Sequence, residues 1–277
     1  MNRLYQAAGV SKQAVNQQAK RQAGFDCRVA ELTEQAEVLR RDHPGCGVEK
    51  MYHTLKPDFL GRDRFIELFM EAGFRIKRGR NYRRTTYAAH ADYPNLIKGV
   101  SVGSPSVIWQ SDITYCLAGE QFYYAVFIID VYTKKIVGYR VSDHMRAEAN
   151  VKALEMALKN NKPPDIHHSD RGSQYSSQEY INLLKSHNCR ISMARSAQDN
   201  AYAERINRTI KEEYLTYWKP MTLPQMKRAI DKAVFNYNNK RKHKNIKMMA
   251  PADFEHDWYK NLLPVKPIIT IFNEISI

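Results

Sequence analysis

Nowhere in this 277-residue chain do apolar residues run on for the roughly 18 positions that a membrane-crossing helix needs. The opening segment, MNRLYQAAGVSKQ, has no apolar h-region of the secretory kind, so a cytoplasmic protein without membrane contact is expected. Cysteine is scarce and scattered. Cys27, Cys46, Cys116 and Cys189 contain no CxxC pair, which argues against both a disulfide framework and a zinc ribbon. The cluster of His43, Cys46, His53 and Cys27 matches no standard finger spacing, and ordinary packing is the expectation there. No GxxxxGK phosphate loop and no GxSxG nucleophile motif occurs. Heptad runs, internal repeats and low-complexity blocks are missing as well.

Acidic residues are also in short supply: 29 Asp and Glu stand against 43 Lys and Arg, a formal net charge of +14. The imbalance is local. Residues 1–84 hold 17 basic and 10 acidic side chains, residues 101–204 hold 11 of each, and residues 205–247 hold 12 basic and 3 acidic. Two basic flanks therefore enclose a neutral centre, and cations grouped in this way attract phosphate backbones irrespective of sequence. The densest run, Arg75, Lys77, Arg78, Arg80, Arg83 and Arg84 with Tyr82 interleaved, is either a solvated linker or a DNA contact.

Five segments are expected along the chain. Residues 1–24 read as a short helix-turn-helix, with Leu4 to Ala8, a turn at Gly9, and Ser11 capping a helix from Lys12 to Arg21 that offers Lys12 and Gln13 to DNA. Residues 25–84 read as a helical DNA-binding module: Val29 to Arg41, stopped by Pro44-Gly45, then Val48 to Lys56 and Arg62 to Ala72 across a turn, with Arg62 and Arg64 at the last helix's start. Residues 85–105 are expected to be a basic, flexible linker. From residue 106 β-branched and aromatic residues predict strands at Val107 to Cys116, Gln121 to Val131 and Lys135 to Val141. A helix at Ala147 to Lys159, a strand at Asp165 to His168, a helix at Ser177 to His187, a strand at Arg190 to Ala194 and a long helix from about Asp199 follow. Residues 106–218 thus predict a mixed-sheet α/β core, and 219–277 a basic helical extension ending in a strand-like piece at Pro267 to Phe272.

Three carboxylates sit where such a core would expose them. Asp112 interrupts the first strand, where a buried charge is costly unless paired or bound to a cation. Asp170 follows the fourth strand, at the carboxyl end where sites are built. Glu204 lies on the next helix. At about 100° per residue from Asn200, Glu204 falls near 40°, Asn207 near −20° and Lys211 near 20°, one polar face, while Ala203, Ile206 and Ile210 form an apolar one. Carboxylate oxygens suit Mg²⁺ or Mn²⁺, and two such ions about 3.5–4 Å apart support in-line displacement at phosphorus. Taken singly, each residue is equally an ordinary turn cap or surface charge.

WQSDITY, the His168–Tyr175 run HSDRGSQY, DNAYAE from Asp199 to Glu204 with Lys211 beyond it, FNYNNKRKH from Phe235 and HPGCGVEKMY from His43 together resemble the second-reading-frame transposases of the insertion-sequence-three family. These belong to the DDE transposase and retroviral integrase superfamily with an RNase-H-like core. The resemblance implies a DNA transposase that frees a 3′-hydroxyl at the element end and joins it to another phosphodiester, in DNA integration and recombination. It implies that Asp112, Asp170 and Glu204 hold two Mg²⁺ or Mn²⁺ ions, that Lys211 meets DNA near the scissile phosphate, and that Asn200 neighbours the site. Asn200, Asn207 and Arg208 are expected to face DNA. Double-stranded DNA, namely terminal inverted repeats and target, is the implied partner, with a dimer or larger assembly, nucleoid association, and an upstream-frame helix-turn-helix protein that works with the chain or is fused to it. Two departures stand out: the Asp170–Glu204 interval is shortened in the loop Arg195 to Gln198, and Cys46 stands where an aromatic is common. A nuclease that stops after hydrolysis, and a DNA-binding repressor using only residues 1–84, remain the competing readings.

Overall fold

The computed structural model describes residues 9, 11–76 and 93–271. The chain divides into two compact units, Met1–Arg75 and Ile76–Ile277.

The first unit is helical. Ser11 accepts a hydrogen bond from the Ala14 amide at 3.0 Å and starts α1, which runs unbroken over 31 residues, Lys12–Asp42. The joint expected near residue 24 is therefore not there. Gly24 lies inside the helix, and its penalty of about 1 kcal/mol is small beside the cost of nucleating a second helix. Of the expected helix-turn-helix, residues 1–8 fall outside the described residues. Two residues of α1, Leu32 and Ala36, are buried, packing with α2 (Val48–Leu55) and α3 (Arg62–Phe69). Phe65 and Phe69 stack at 4.1 Å in that small core, which also holds Cys46. Past α3 the helix widens into a π-turn, Met70–Phe74, containing Gly73 at φ +88°.

The second unit is built on a five-stranded sheet. The strands β2 (Ile108–Ala118), β3 (Gln121–Asp130) and β4 (Ile136–Ser142) form an antiparallel meander, while β5 (Ile166–Ser169) and β6 (Arg190–Met193) add in parallel, giving the order β4-β3-β2-β5-β6. Ala118 pairs with Gln121, so the hairpin turns on two residues, with Gly119 at φ +59°. The helices α4 (Ala147–Asn160) and α5 (Gln178–Ser186) cover one face through Trp109, Val126, Ile128, Leu154 and Leu184. Close contact there depends on Gly138, where an added Cβ would lie 2.3 Å from the Ala153 carbonyl oxygen. The other face carries α6 (Ala201–Ile210) and α7 (Leu223–Asn239).

Two expected boundaries give way to packing. Residues 93–105 are not a loose linker: Ile97 and Val102 are fully buried, and β1 (Ser101–Val102) pairs antiparallel with β7 (Ile269–Thr270) across the length of the unit. The region from 219 onward is not peripheral either, because α7 buries Met226, Ile230, Ala233, Val234 and Tyr237 against β4 and α6, and α8 (Pro251–Tyr259) adds Phe254 to the cluster around β1 and β7. The helical character after residue 219 was legible, but a partner 169 residues away in Ser101↔Thr270 leaves no local signal.

Candidate active site

The sheet register brings the first two carboxylates together. The last paired rung between β2 and β5 is Ser111↔Ser169, so Asp112 and Asp170 are the next residues on adjacent parallel strands. Asp170 turns back on its own loop, its Oδ1 accepting the Gly172 amide at 3.0 Å. Asp112 accepts from the Ile113 amide at 3.0 Å and from Asn207 Nδ2 at 2.8 Å. Glu204 reaches the same region from the first turn of α6, whose Ala203, Ile206 and Ile210 lie on the sheet as the helical arithmetic required.

Part of the Asp112 side chain is open, yet protein surrounds the carboxylate closely. Burial holds it well above the usual carboxylate range, and repulsion from Asp170 and then Glu204 raises it further, against the two hydrogen bonds. Burial also raises Asp170, with the Gly172 amide opposing, and raises Glu204, with Arg208 opposing. Lys211, half-buried where α6 passes into the π-turn Lys211–Leu215, is lowered by burial while Cys116 and Asp112 pull it back. Asp112, with Asp170 and Glu204 close enough to repel it and one ammonium near by, marks a region that favours a cation. Among the described residues no three His, Cys, Asp or Glu side chains form a ready-made cluster for one ion. Mg²⁺ fits this openness, since it takes one or two carboxylates and completes its shell with water and phosphate. The carbonyl oxygens of Asn200 and Asn207 are buried without a partner beside these residues, further unsatisfied polar capacity at the same place.

Other expected contacts fall differently. Asn200 and Asn207, expected to face DNA, are buried and turned to β2: Asn200 Nδ2 donates to the Ser111 carbonyl at 2.9 Å, and Asn207 holds Asp112. Their place on a polar helical face was right, but that face meets the strand. Arg208 is exposed. Lys12 and Gln13 are exposed on the first turn of α1; Arg62 and Arg64 are exposed and paired with Asp63 at 2.9 Å and Glu67 at 2.5 Å. Arg78, Arg80, Arg83 and Arg84 lie outside the described residues. The shortened loop closes as a 3₁₀ turn, Ala197–Asn200, in which Asp199 Oδ2 accepts the Arg195 and Ser196 amides at 2.8 and 2.9 Å.

Sequence reasoning overlooked the residues that hold the carboxylates' elements. Gln110 is fully buried and bonded to α6, and Ser111 Oγ meets the buried Tyr175 hydroxyl at 3.0 Å. The available signal was a glutamine at a core-facing strand position, which needs partners for two polar atoms.

Residues 104–198 match an integrase core domain family, and residues 186–251 a second family of the same description. A chain of the simian T-cell lymphotropic virus intasome shares the fold, with a TM-score of 0.53 and 18% identity over 69% of this chain and 66% of that one. The second unit is thus the RNase-H-like integrase core of a DDE polynucleotidyl transferase. Over 209 residues the chain is 34% identical to the insertion element IS600 31 kDa protein of Shigella sonnei, covering 73% of this chain and 77% of that protein. It is likewise 34% identical over 202 residues to the transposase InsF for insertion sequence IS3A of Escherichia coli K12, covering 69% and 68%. The chain belongs to the IS3 family of transposases.

Proposed function

We propose that the chain cleaves DNA at the ends of its element and transfers the freed 3′-hydroxyl to a second DNA, using Mg²⁺ or Mn²⁺, two ions, held by Asp112, Asp170 and Glu204. The observation that carries this is the register Ser111↔Ser169, which sets Asp112 beside Asp170, with Glu204 on the first turn of α6 close enough to raise the Asp112 carboxyl together with burial and Asp170. A site arranged in that way is unfavourable when ionised and empty, and a divalent cation relieves it. Divalent ions held by these three residues would supply activation of an attacking oxygen and stabilisation of a leaving one at phosphorus. In the first reaction water forms a bond to phosphorus and the bond to the 3′-oxygen breaks. In the second the 3′-oxygen forms a bond to a target phosphorus, and the target's own 3′-oxygen leaves.

The protein's share is positioning. Asn207 orients Asp112, the Gly172 amide orients Asp170, and Lys211 presents a positive charge next to Asp112 to hold the scissile phosphate. Exposed Arg208, the basic run holding Arg78, Arg80, Arg83 and Arg84, and Lys12, Gln13, Arg62 and Arg64 engage the duplex, the last two by exchanging surface ion pairs of small worth for phosphate. Two DNA ends must meet, so the working form is a homo-oligomer on terminal-repeat and target DNA, with an upstream-frame helix-turn-helix protein as a further partner, in the cytoplasm at the nucleoid. The described residues include no helix long and apolar enough to cross a membrane.

The test is purified chain with labelled element-end DNA and Mg²⁺ or Mn²⁺. Nicked and then joined products are expected, lost with EDTA or with Glu204→Gln. Nicks with no joined strand would leave the nuclease reading, and Asp112→Ala with every activity intact would leave the repressor.

A further inference from the structure

We infer that Gln110 is a positioning residue: its carboxamide fixes the helix carrying Glu204 to the strand carrying Asp112. This rests on the reading that those two carboxylates act together. Gln110 Oε1 accepts the Tyr202 amide at 3.1 Å and the Ala203 amide at 3.4 Å, and Nε2 donates to the Asp199 carbonyl at 3.3 Å. The first amides of a helix have no partner within it and are ordinarily satisfied by the side chain of the residue just before. Here that residue, Asn200, makes no capping bond and instead donates to the Ser111 carbonyl at 2.9 Å. The cap comes from the sheet.

Three consecutive residues of β2 are thereby stitched to α6 and its lead-in. Gln110 holds the helix start, the Ser111 carbonyl holds Asn200, and Asp112 holds Asn207. Glu204 lies directly after the two capped amides, so the same bonds that close the helix set its height along the strand, and with it the separation of Glu204 from Asp112. Glutamine suits the position because it accepts from two amides and donates to a carbonyl at once. Methionine would fill the space and leave all three groups unsatisfied. Glutamate would keep the acceptor, lose the donor and bring a fourth carboxylate to the site.

Gln110→Met and Gln110→Glu in the full chain test this. Amide exchange is measured without DNA or metal, and cleavage of element-end DNA at saturating Mn²⁺ is measured beside DNA affinity. For Gln110→Met, exchange at Tyr202 and Ala203 should rise about five- to tenfold, with β3 unchanged. Cleavage should fall about 100-fold, as for a catalytic group misplaced by about 1 Å, at unchanged DNA affinity and with a higher Mn²⁺ requirement. Gln110→Glu should keep both amides protected and fall between wild type and Gln110→Met. The inference is overturned by wild-type cleavage in Gln110→Met, by a loss that follows DNA affinity, or by exchange rising equally in β3 and β4, which marks a general core defect. If Gln110→Met does not fold, loss of protection at the two amides in Gln110→Glu overturns it. A wild-type chain that cleaves nothing would sink the functional reading, and the exchange data then judge the clamp separately.

Discussion

Replacing Asp112 by asparagine should make the metal-free protein more stable near neutral pH. The carboxyl's pKa is raised in the fold by burial, Asp170 and Glu204, so its contribution to stability is fully present below the unfolded value of about 3.9 and is lost as pH rises through the folded value. Asparagine is never charged and escapes that loss. It keeps the hydrogen bond from the Ile113 amide, and its new Nδ2 meets Asn207, whose partnerless Oδ1 can accept after the amide turns over. Burying a charge costs several kcal/mol, and the charge-assisted hydrogen bonds, at about 1.5–3 kcal/mol each, return much of it. A net gain of about 1–2 kcal/mol is typical of relieving such a site, which for a unit of this size is a rise of roughly 3–6 °C in Tm. Thermal unfolding in EDTA from pH 4 to 8 reads this out: the two curves should converge at the acid end and separate with rising pH. Added Mn²⁺ should then raise the wild type by mass action and leave Asp112→Asn behind. An Asp112→Asn protein less stable than wild type in EDTA at pH 7.5, or a gap independent of pH, refutes the reasoning.

Two further outcomes follow from neighbouring residues. Burial lowers Lys211, so DNA binding should weaken as pH climbs towards that lowered value, and Lys211→Arg, always charged, should remove this pH dependence in a titration of affinity. Arg241 makes a bidentate pair with Glu213 at 2.6 and 2.7 Å, joining the end of α7 to the π-turn after Lys211. Arg241→Met leaves the carboxylate mostly buried and should cost about 3–5 kcal/mol in denaturant unfolding, with Arg241→Met/Glu213→Gln less destabilised than the single change.

Local chemistry wrote the strands and helices of the core plainly. The β-branched and aromatic run around WQSDITY and the apolar face of Ala203, Ile206 and Ile210 each depend on neighbours within a few positions, so composition and period suffice. The three carboxylates were also legible, because a charge at a strand's edge or on one helical face is conspicuous in its own segment. Their mutual proximity required the register Ser111↔Ser169, which joins positions 58 residues apart.

By itself, then, the sequence determined the strands and helices of the core from residue 106 to 218, their order and the candidate carboxylates. Only the tertiary structure decided that Asn200 and Asn207 look inward, that Gln110 caps a helix from a neighbouring strand, that residues 93–105 are packed against the far end of the chain, and that α1 runs on past Gly24. The physical reason is common to the first three: a polar side chain or a short strand is indifferent to its surroundings until a distant segment supplies the hydrogen-bond partner, and that partner is chosen by the packing of the whole sheet.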